Sequence, residues 1–251
     1  MFKILFIICV VLEVIFVPIF LKFYLPGKCK NSFATKTVCS LLFCLCGVFA
    51  MKSSGNNTLY ADYIVWGLIL GAIGDLLLHA LTKVIYPYVI GVIAFFTGHI
   101  FYIMAFQRAI YTTYPGSNLF EWYEILAIVV LELIVAVYVL IRKKNHTIRP
   151  HLVALAAIYG AMLMAMLAKA ARLAIGEIAY GTNDHMVMIT VTVLLGAALF
   201  FISDIILLFI LKSEEPTKPM MRIVNIVTYY TAQVLLAASI FFVYSRELLI
   251  A

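Results

Sequence analysis

Asp75 and Asp204 are the residues of this chain best placed to do chemistry, because each sets a carboxyl group among largely apolar residues, 67–81 and 196–211. Inside hydrocarbon a carboxylate costs roughly 2.5–3.5 kcal/mol on insertion scales, so such a residue marks function before stability. Two carboxyl groups in one low-dielectric site resist ionising together, which leaves one able to give a proton while the other carries charge. His99, Tyr102, Tyr229, Tyr230 and Gln233 offer hydrogen bonds at helical spacing: 99 and 102 are i,i+3, 229 and 233 are i,i+4, and 230 and 233 are i,i+3. Ser203 adds a hydroxyl beside Asp204 but points about 100° away from it on a helix.

These side chains need helices to hold them, and the composition says which kind. Of 251 residues, 65% are hydrophobic and 12% charged, too little polar surface for a soluble domain. The apolar residues arrive in blocks of about twenty, the length that crosses about 30 Å of hydrocarbon as a helix. Eight such spans are predicted, at about 4–22, 33–51, 62–82, 87–107, 121–141, 151–172, 186–211 and 222–244. The fold expected is an all-α, polytopic transmembrane bundle forming a single integral membrane domain over residues 1–251. The run 2–21 has no small-residue cleavage site after it and reads as the first span.

Lys and Arg are concentrated in the connections after spans 1, 3, 5 and 7, twelve against six, which makes that side cytosolic and places both termini opposite. The net charge of +6 therefore records topology, and no aromatic-interleaved basic patch suggests nucleic acid. Counted from the cytosolic ends, Asp75, Asp204, Tyr229 and Tyr230 lie roughly 9–12 Å deep, Gln233 a little deeper and His99 nearer mid-span. Gly67 and Gly71 form a small-residue seam running to Asp75, along which another helix can approach closely.

A faint repeat divides the chain into two parallel four-helix halves. Val10-Val11-Leu12-Glu13-Val14-Ile15 resembles Val129-Val130-Leu131-Glu132-Leu133-Ile134 at an offset of 119, and Gly74-Asp75-Leu76 resembles Ser203-Asp204-Ile205 at 129. Glu13 and Glu132 read as structural, His79 and His151 as interfacial, and Lys169 and Arg172 as snorkelling to the surface. Cys9, Cys39, Cys44 and Cys46 sit in apolar stretches and read as packing; Cys29 lies in a connection, and no CxxC pair occurs.

Four stretches in order resemble the transmembrane lysoplasmalogenases, whose bacterial relatives are the YhhN proteins. They are Gly74-Asp75-Leu76-Leu77-Leu78, His99-Ile100-Phe101-Tyr102, residues 196–204 ending in Ser203-Asp204, and Tyr229-Tyr230-Thr231-Ala232-Gln233; the tail Ser245-Arg246-Glu247 also looks like animal members. The resemblance implies hydrolysis of the vinyl ether bond of a lysophospholipid substrate within the membrane, giving a fatty aldehyde and a glycerophosphoethanolamine or glycerophosphocholine. Opening a vinyl ether needs a proton donor and a negative charge near the developing cation, which makes Asp75 and Asp204 the catalytic candidates, with substrate binding by His99, Tyr102, Ser203, Tyr229, Tyr230 and Gln233 and no cofactor or metal expected; the resemblance implies an endoplasmic reticulum membrane. Lys83 or Arg222 at the cytosolic rim is expected to meet the phosphate. A homo-oligomer is compatible with all of this. Two other classes compete: a proton- or ion-coupled lipid transporter or scramblase, which would use paired aspartates and a repeat, and a metal-dependent hydrolase, for which one deep His is few nitrogen ligands.

Overall fold

The computed structural model describes residues 1–27, 29–54, 58–80, 85–142, 150–180, 185–212 and 217–250. Lys28, Lys83, Lys143, Lys144 and Arg149 lie outside the described residues, as do the side chains of His151, Ser245, Arg246 and Glu247. Among the described residues there is no strand. The chain forms α1 (Phe2–Tyr24), α2 (Lys30–Ser54), α3 (Leu59–Ala80), α4 (Ile85–Thr113), α5 (Trp122–Arg142), α6 (Pro150–Tyr180), α7 (Met186–Thr190), a π-helical turn (Val191–Leu195), α8 (Gly196–Lys212) and α9 (Pro219–Ile250). Seven segments are long and apolar enough to cross a membrane, and α5, at 21 residues, has the length to do so as well. This is a multi-pass integral membrane bundle.

Spans 4, 6 and 8 run several residues beyond their predicted ends, because their last turns are polar enough to escape a hydropathy reading yet still satisfy their backbone as helix. The seventh span is interrupted by the π-helical turn, which no sequence pattern announced. Local signals account for several ends. Thr58 caps α3, its hydroxyl accepting the Ala61 N–H at 3.2 Å. Glu124, in the first turn of α5, accepts the Glu121 N–H at 2.8 Å. Gly116, at φ 90°, makes the turn between α4 and α5 in a conformation other residues avoid.

The helices pack mainly on their neighbours in the chain. Within the first half α1 lies on α2, α2 on α3 and α3 on α4; within the second, α5 lies on α6, α6 on the α7–α8 span and that span on α9. Between halves, α2 packs on α9 and α4 packs on α6. The second helix of each half thus meets the fourth helix of the other, while α9 also packs on α1 and α3 and, among the described residues, α4 does not come equally close to α5 or α8, so the arrangement is only partly symmetric. The small-residue seam behaves as expected: a Cβ on Gly98 would stand 3.3 Å from the Gly67 carbonyl oxygen, so α3 and α4 touch through their backbones.

Candidate active site

Asp75 projects from α3 toward α2, where the Ser40 hydroxyl donates to its Oδ2 at 2.9 Å and the Lys36 ammonium stands 2.8 Å from its Oδ1. Asp204 projects from α8 toward α6 and α4. Its Oδ2 accepts the Tyr159 hydroxyl at 2.5 Å, and His99 Nε2 lies 3.5 Å away. His99 also meets the Tyr159 oxygen at 3.3 Å and, through Nδ1, the Met166 sulfur at 3.3 Å. Both aspartates are buried, and each has its own set of partners.

Between the two carboxylates runs a hydrogen-bonded chain and a file of rings. Tyr102 donates to Gln233 Oε1 at 2.7 Å, and Gln233 Nε2 donates to the Tyr229 oxygen at 3.0 Å. This chain ties α4 to α9 and orders the Gln233 amide, both of whose ends are used. The Phe200 ring stands edge-on to His99 at 4.7 Å between centroids and to Tyr229 at 5.4 Å, and Tyr229 packs on Tyr230 at 5.1 Å. The Tyr230 hydroxyl is buried without a well-formed hydrogen bond, beside Ser40. The glycine seam makes room for all of this. A Cβ on Gly67 would lie 2.4 Å from the Tyr102 ring, and one on Gly71 would lie 2.8 Å from Gln233 Nε2 and 3.4 Å from the Tyr229 oxygen.

The Gly67 contact gives a direct expectation. Gly67→Ala forces the fully buried Tyr102 ring off its seat and strains its bond to Gln233, so the purified variant should lose about 1–3 kcal/mol of stability, the usual cost of overpacking. A thermal unfolding midpoint in detergent equal to that of the unaltered protein would refute it.

A family model described as the YhhN family matches residues 31–240. The chain belongs to the YhhN family. That is the family of lysoplasmalogenases, and the matched stretch contains every residue of the site just described, beginning at α2 and so leaving Glu13 outside. No curated protein and no solved structure matches the chain.

In this YhhN-family chain the two aspartates occupy equivalent places. Asp75 and Asp204 are the third-helix residues of their halves, 129 apart. Their hydroxyl donors, Ser40 and Tyr159, come from the second helices and are 119 apart, the offset already carried by Glu13 and Glu132. Tyr159 was not expected at the site, and neither was Ser40; that shared offset of 119 is the signal by which both were findable. His99 beside Asp204 and Tyr229 on the opposite side of Phe200 come from the fourth helices, 130 apart. The symmetry is broken at Lys36, whose counterpart in the sequence is Leu155.

Other expected residues are placed differently. Ser203 does not join the cluster: its hydroxyl donates to the Asn225 carbonyl at 3.2 Å, and Asn225 Nδ2 donates back to the Ser203 carbonyl at 2.7 Å, a reciprocal clamp between α8 and α9. Lys169 and Arg172 do not snorkel. Lys169 is wholly buried and donates to Glu124 at 2.9 Å and Gln107 at 3.0 Å, while Arg172 reaches Glu124 at 3.0 Å and Glu121 at 3.2 Å. His79, at the end of α3, is buried within the bundle, 3.0 Å from the Ser32 hydroxyl. Arg222 donates to Thr217 at 2.9 Å and lies over the Tyr24 ring. Glu13 is buried with both carboxyl oxygens unpartnered, and Glu132 Oε1 is unpartnered beside Gly160. Among the described residues no group of three or more His, Cys, Asp or Glu could hold a metal ion.

Proposed function

We propose that this site hydrolyses the vinyl ether bond of lysoplasmalogens, releasing a fatty aldehyde and a glycerophosphoethanolamine or glycerophosphocholine. The observation that carries the reading is the pair of buried aspartates, each held by a hydroxyl donor and flanking one file of polar and aromatic side chains between α3, α4, α8 and α9. A vinyl ether is opened by adding a proton to its β carbon, which leaves an oxocarbenium ion on the ether side. Water adds to that ion and releases a proton, and the hemiacetal collapses to aldehyde and alcohol. One carboxylic acid supplies the first proton and then, as carboxylate, accepts the proton that water gives up. The other carboxylate faces the developing cation, the division of labour seen between paired carboxyl groups in glycoside hydrolysis.

Tyr102, Gln233 and Tyr229 form a fixed polar rail that can orient the ether oxygen or the water, and the surrounding Phe and Tyr rings suit an alkenyl chain. His99, paired with Asp204 through Tyr159, belongs to the proton-handling end. The substrate enters from the lipid phase, and we assign the protein to the endoplasmic reticulum membrane by the likeness to animal relatives.

The deciding experiment incubates purified protein with a lysoplasmalogen and with the matching acyl lysolipid, and follows products by mass spectrometry. Aldehyde from the first and no cleavage of the second is expected; no aldehyde from the first would end the reading. The exchange of parallel halves is also what a transporter would use. Flux of a lipid or ion across proteoliposomes without aldehyde release would favour that alternative.

A further inference from the structure

We infer that Lys36 is the residue that reads the substrate's phosphate, and that the phosphodiester, by taking the Lys36 ammonium, frees the charge of Asp75 for the reaction. The inference rests on the lysoplasmalogen reading above and adds the one contact that reading lacks, a seat for the head group. Arg222 gives its Nε–H to Thr217 and lies over the Tyr24 ring, and among the described residues no contact with an active-site carboxylate is shown for it. Lys36 is the ammonium that the structure places on an active-site carboxylate, and the second half has Leu155 at the matching position.

Its position suits the task. Lys36 stands six residues into α2 from the end counted as cytosolic, and its side chain is more accessible than that of Asp75, 12% against 5%. An ammonium has three N–H donors. Among the described residues Lys36 gives one to Asp75 and meets no other acceptor, so two remain for a phosphodiester's oxygens. The Lys36 ammonium and the Ser40 hydroxyl meet the two oxygens of one Asp75 carboxylate, so a phosphate on Lys36 stands at the level of Asp75. In a lysophospholipid the phosphorus and the vinyl ether oxygen are five bonds apart, roughly 6 Å when extended, about one helical turn. Phosphate on Lys36 therefore sets the glycerol beside Ser40 and Asp75 and points the vinyl ether down toward Tyr229, Gln233 and Tyr102.

The electrostatics follow the same line. Without substrate, the Lys36 ammonium balances Asp75 and makes the pair affordable inside a helix bundle. When phosphate arrives, the ammonium is shared between two anions. Asp75 then keeps more of its negative charge for an oxocarbenium ion forming one turn below, an attraction amplified by the low dielectric. Binding of the head group and stabilisation of the cation become one event.

The test compares lysoplasmalogen with the corresponding alkenylglycerol, which carries the same vinyl ether and no phosphate, in the unaltered protein and in Lys36→Met and Lys36→Arg. The quantity read is the ratio of kcat/KM values for the two substrates. A charge-assisted contact predicts a preference of about 10- to 100-fold for the phosphate-bearing substrate, retained in large part by Lys36→Arg and collapsing toward unity in Lys36→Met. Equal losses on both substrates in Lys36→Met, or an unchanged ratio, would overturn the inference, since Lys36 would then act only on Asp75 or not at all.

A second measurement separates this outcome from failure of the reaction assignment. Thermal shift in detergent is read with an acyl lysophosphatidylethanolamine, the matching monoacylglycerol and inorganic phosphate. Stabilisation by the first alone, lost in Lys36→Met, supports phosphate recognition on a lipid even if no aldehyde is ever released. Equal stabilisation by the monoacylglycerol, or by inorganic phosphate alone, overturns it.

Discussion

Asp75→Asn and Asp204→Asn should each lower the rate of aldehyde release from lysoplasmalogen by at least a hundredfold while leaving the purified protein folded. The magnitude is that of removing a general acid or a preorganised counter-charge, each commonly 10²–10⁴ in rate. Both changes are nearly isosteric. In Asp75→Asn the Ser40 hydroxyl still finds an amide oxygen, but the Lys36 ammonium loses its anion. In Asp204→Asn the Tyr159 hydroxyl keeps an acceptor, and what disappears is the acid beside His99. Groups that work as a unit are not additive, so the double variant should be only slightly slower than the worse single one. Ser203→Ala is the informative comparison: its hydroxyl serves the Asn225 clamp between α8 and α9, so its effect should appear in stability before turnover. Full activity in either purified aspartate variant would rule out the paired-carboxylate mechanism.

Much of this site was legible before any coordinates because membranes punish the wrong letters. An aspartate in apolar text needs a reason, and Asp75 and Asp204 stood out on that ground alone. The Gly67–Gly71 seam likewise announced a close approach, which proved to be that of Tyr102, Gln233 and the backbone at Gly98. Lys36 was not legible as a site residue. Hydropathy treats a lysine near a span end as a topology signal, and only the packing of α2 on α3 turns it toward Asp75. Tyr159 was hidden for a related reason, since a tyrosine in an apolar span is ordinary text until α6 is known to lie against α4 and α8.

Depth along a helix follows from counting residues, whereas the choice of neighbour does not. That is why Asp75 and Asp204 could be set at one level with Tyr229 and Tyr230, with Gln233 and His99 deeper, yet Ser203 could not be told from them. The repeat held the missing information. Had the offset of 119 between Glu13 and Glu132 been carried through the second helices, it would have paired Ser40 with Tyr159.

The largest effect on stability is expected away from the aspartates, at the buried charges around Glu124. Lys169 has no exposed side-chain surface, and its ammonium reaches Glu124, Gln107 and the face of the Phe120 ring at 4.5 Å. Glu124 Oε2 accepts from Lys169, from Arg172 and from the Glu121 N–H that starts α5, so one oxygen joins the interior of α6 to the first turn of α5. The α4–α5 connection is drawn in as well, by Arg172 to Glu121 and by Gln107 to the Asn118 carbonyl. Removing one partner leaves the rest uncompensated, which in buried ion pairs costs about 3–5 kcal/mol, whereas replacing the set by apolar groups of similar size is often neutral. Lys169→Met should therefore destabilise the protein strongly. Glu124→Gln should do so too, because it leaves Lys169 without a carboxylate and Arg172 with Glu121 alone. Lys169→Met combined with Glu124→Gln should recover part of the loss, since only Arg172 then lacks its carboxylate, and Arg172 keeps Glu121. A double-mutant cycle on thermal or denaturant unfolding in detergent measures this coupling; strictly additive losses would show that the buried charges do not act as a pair.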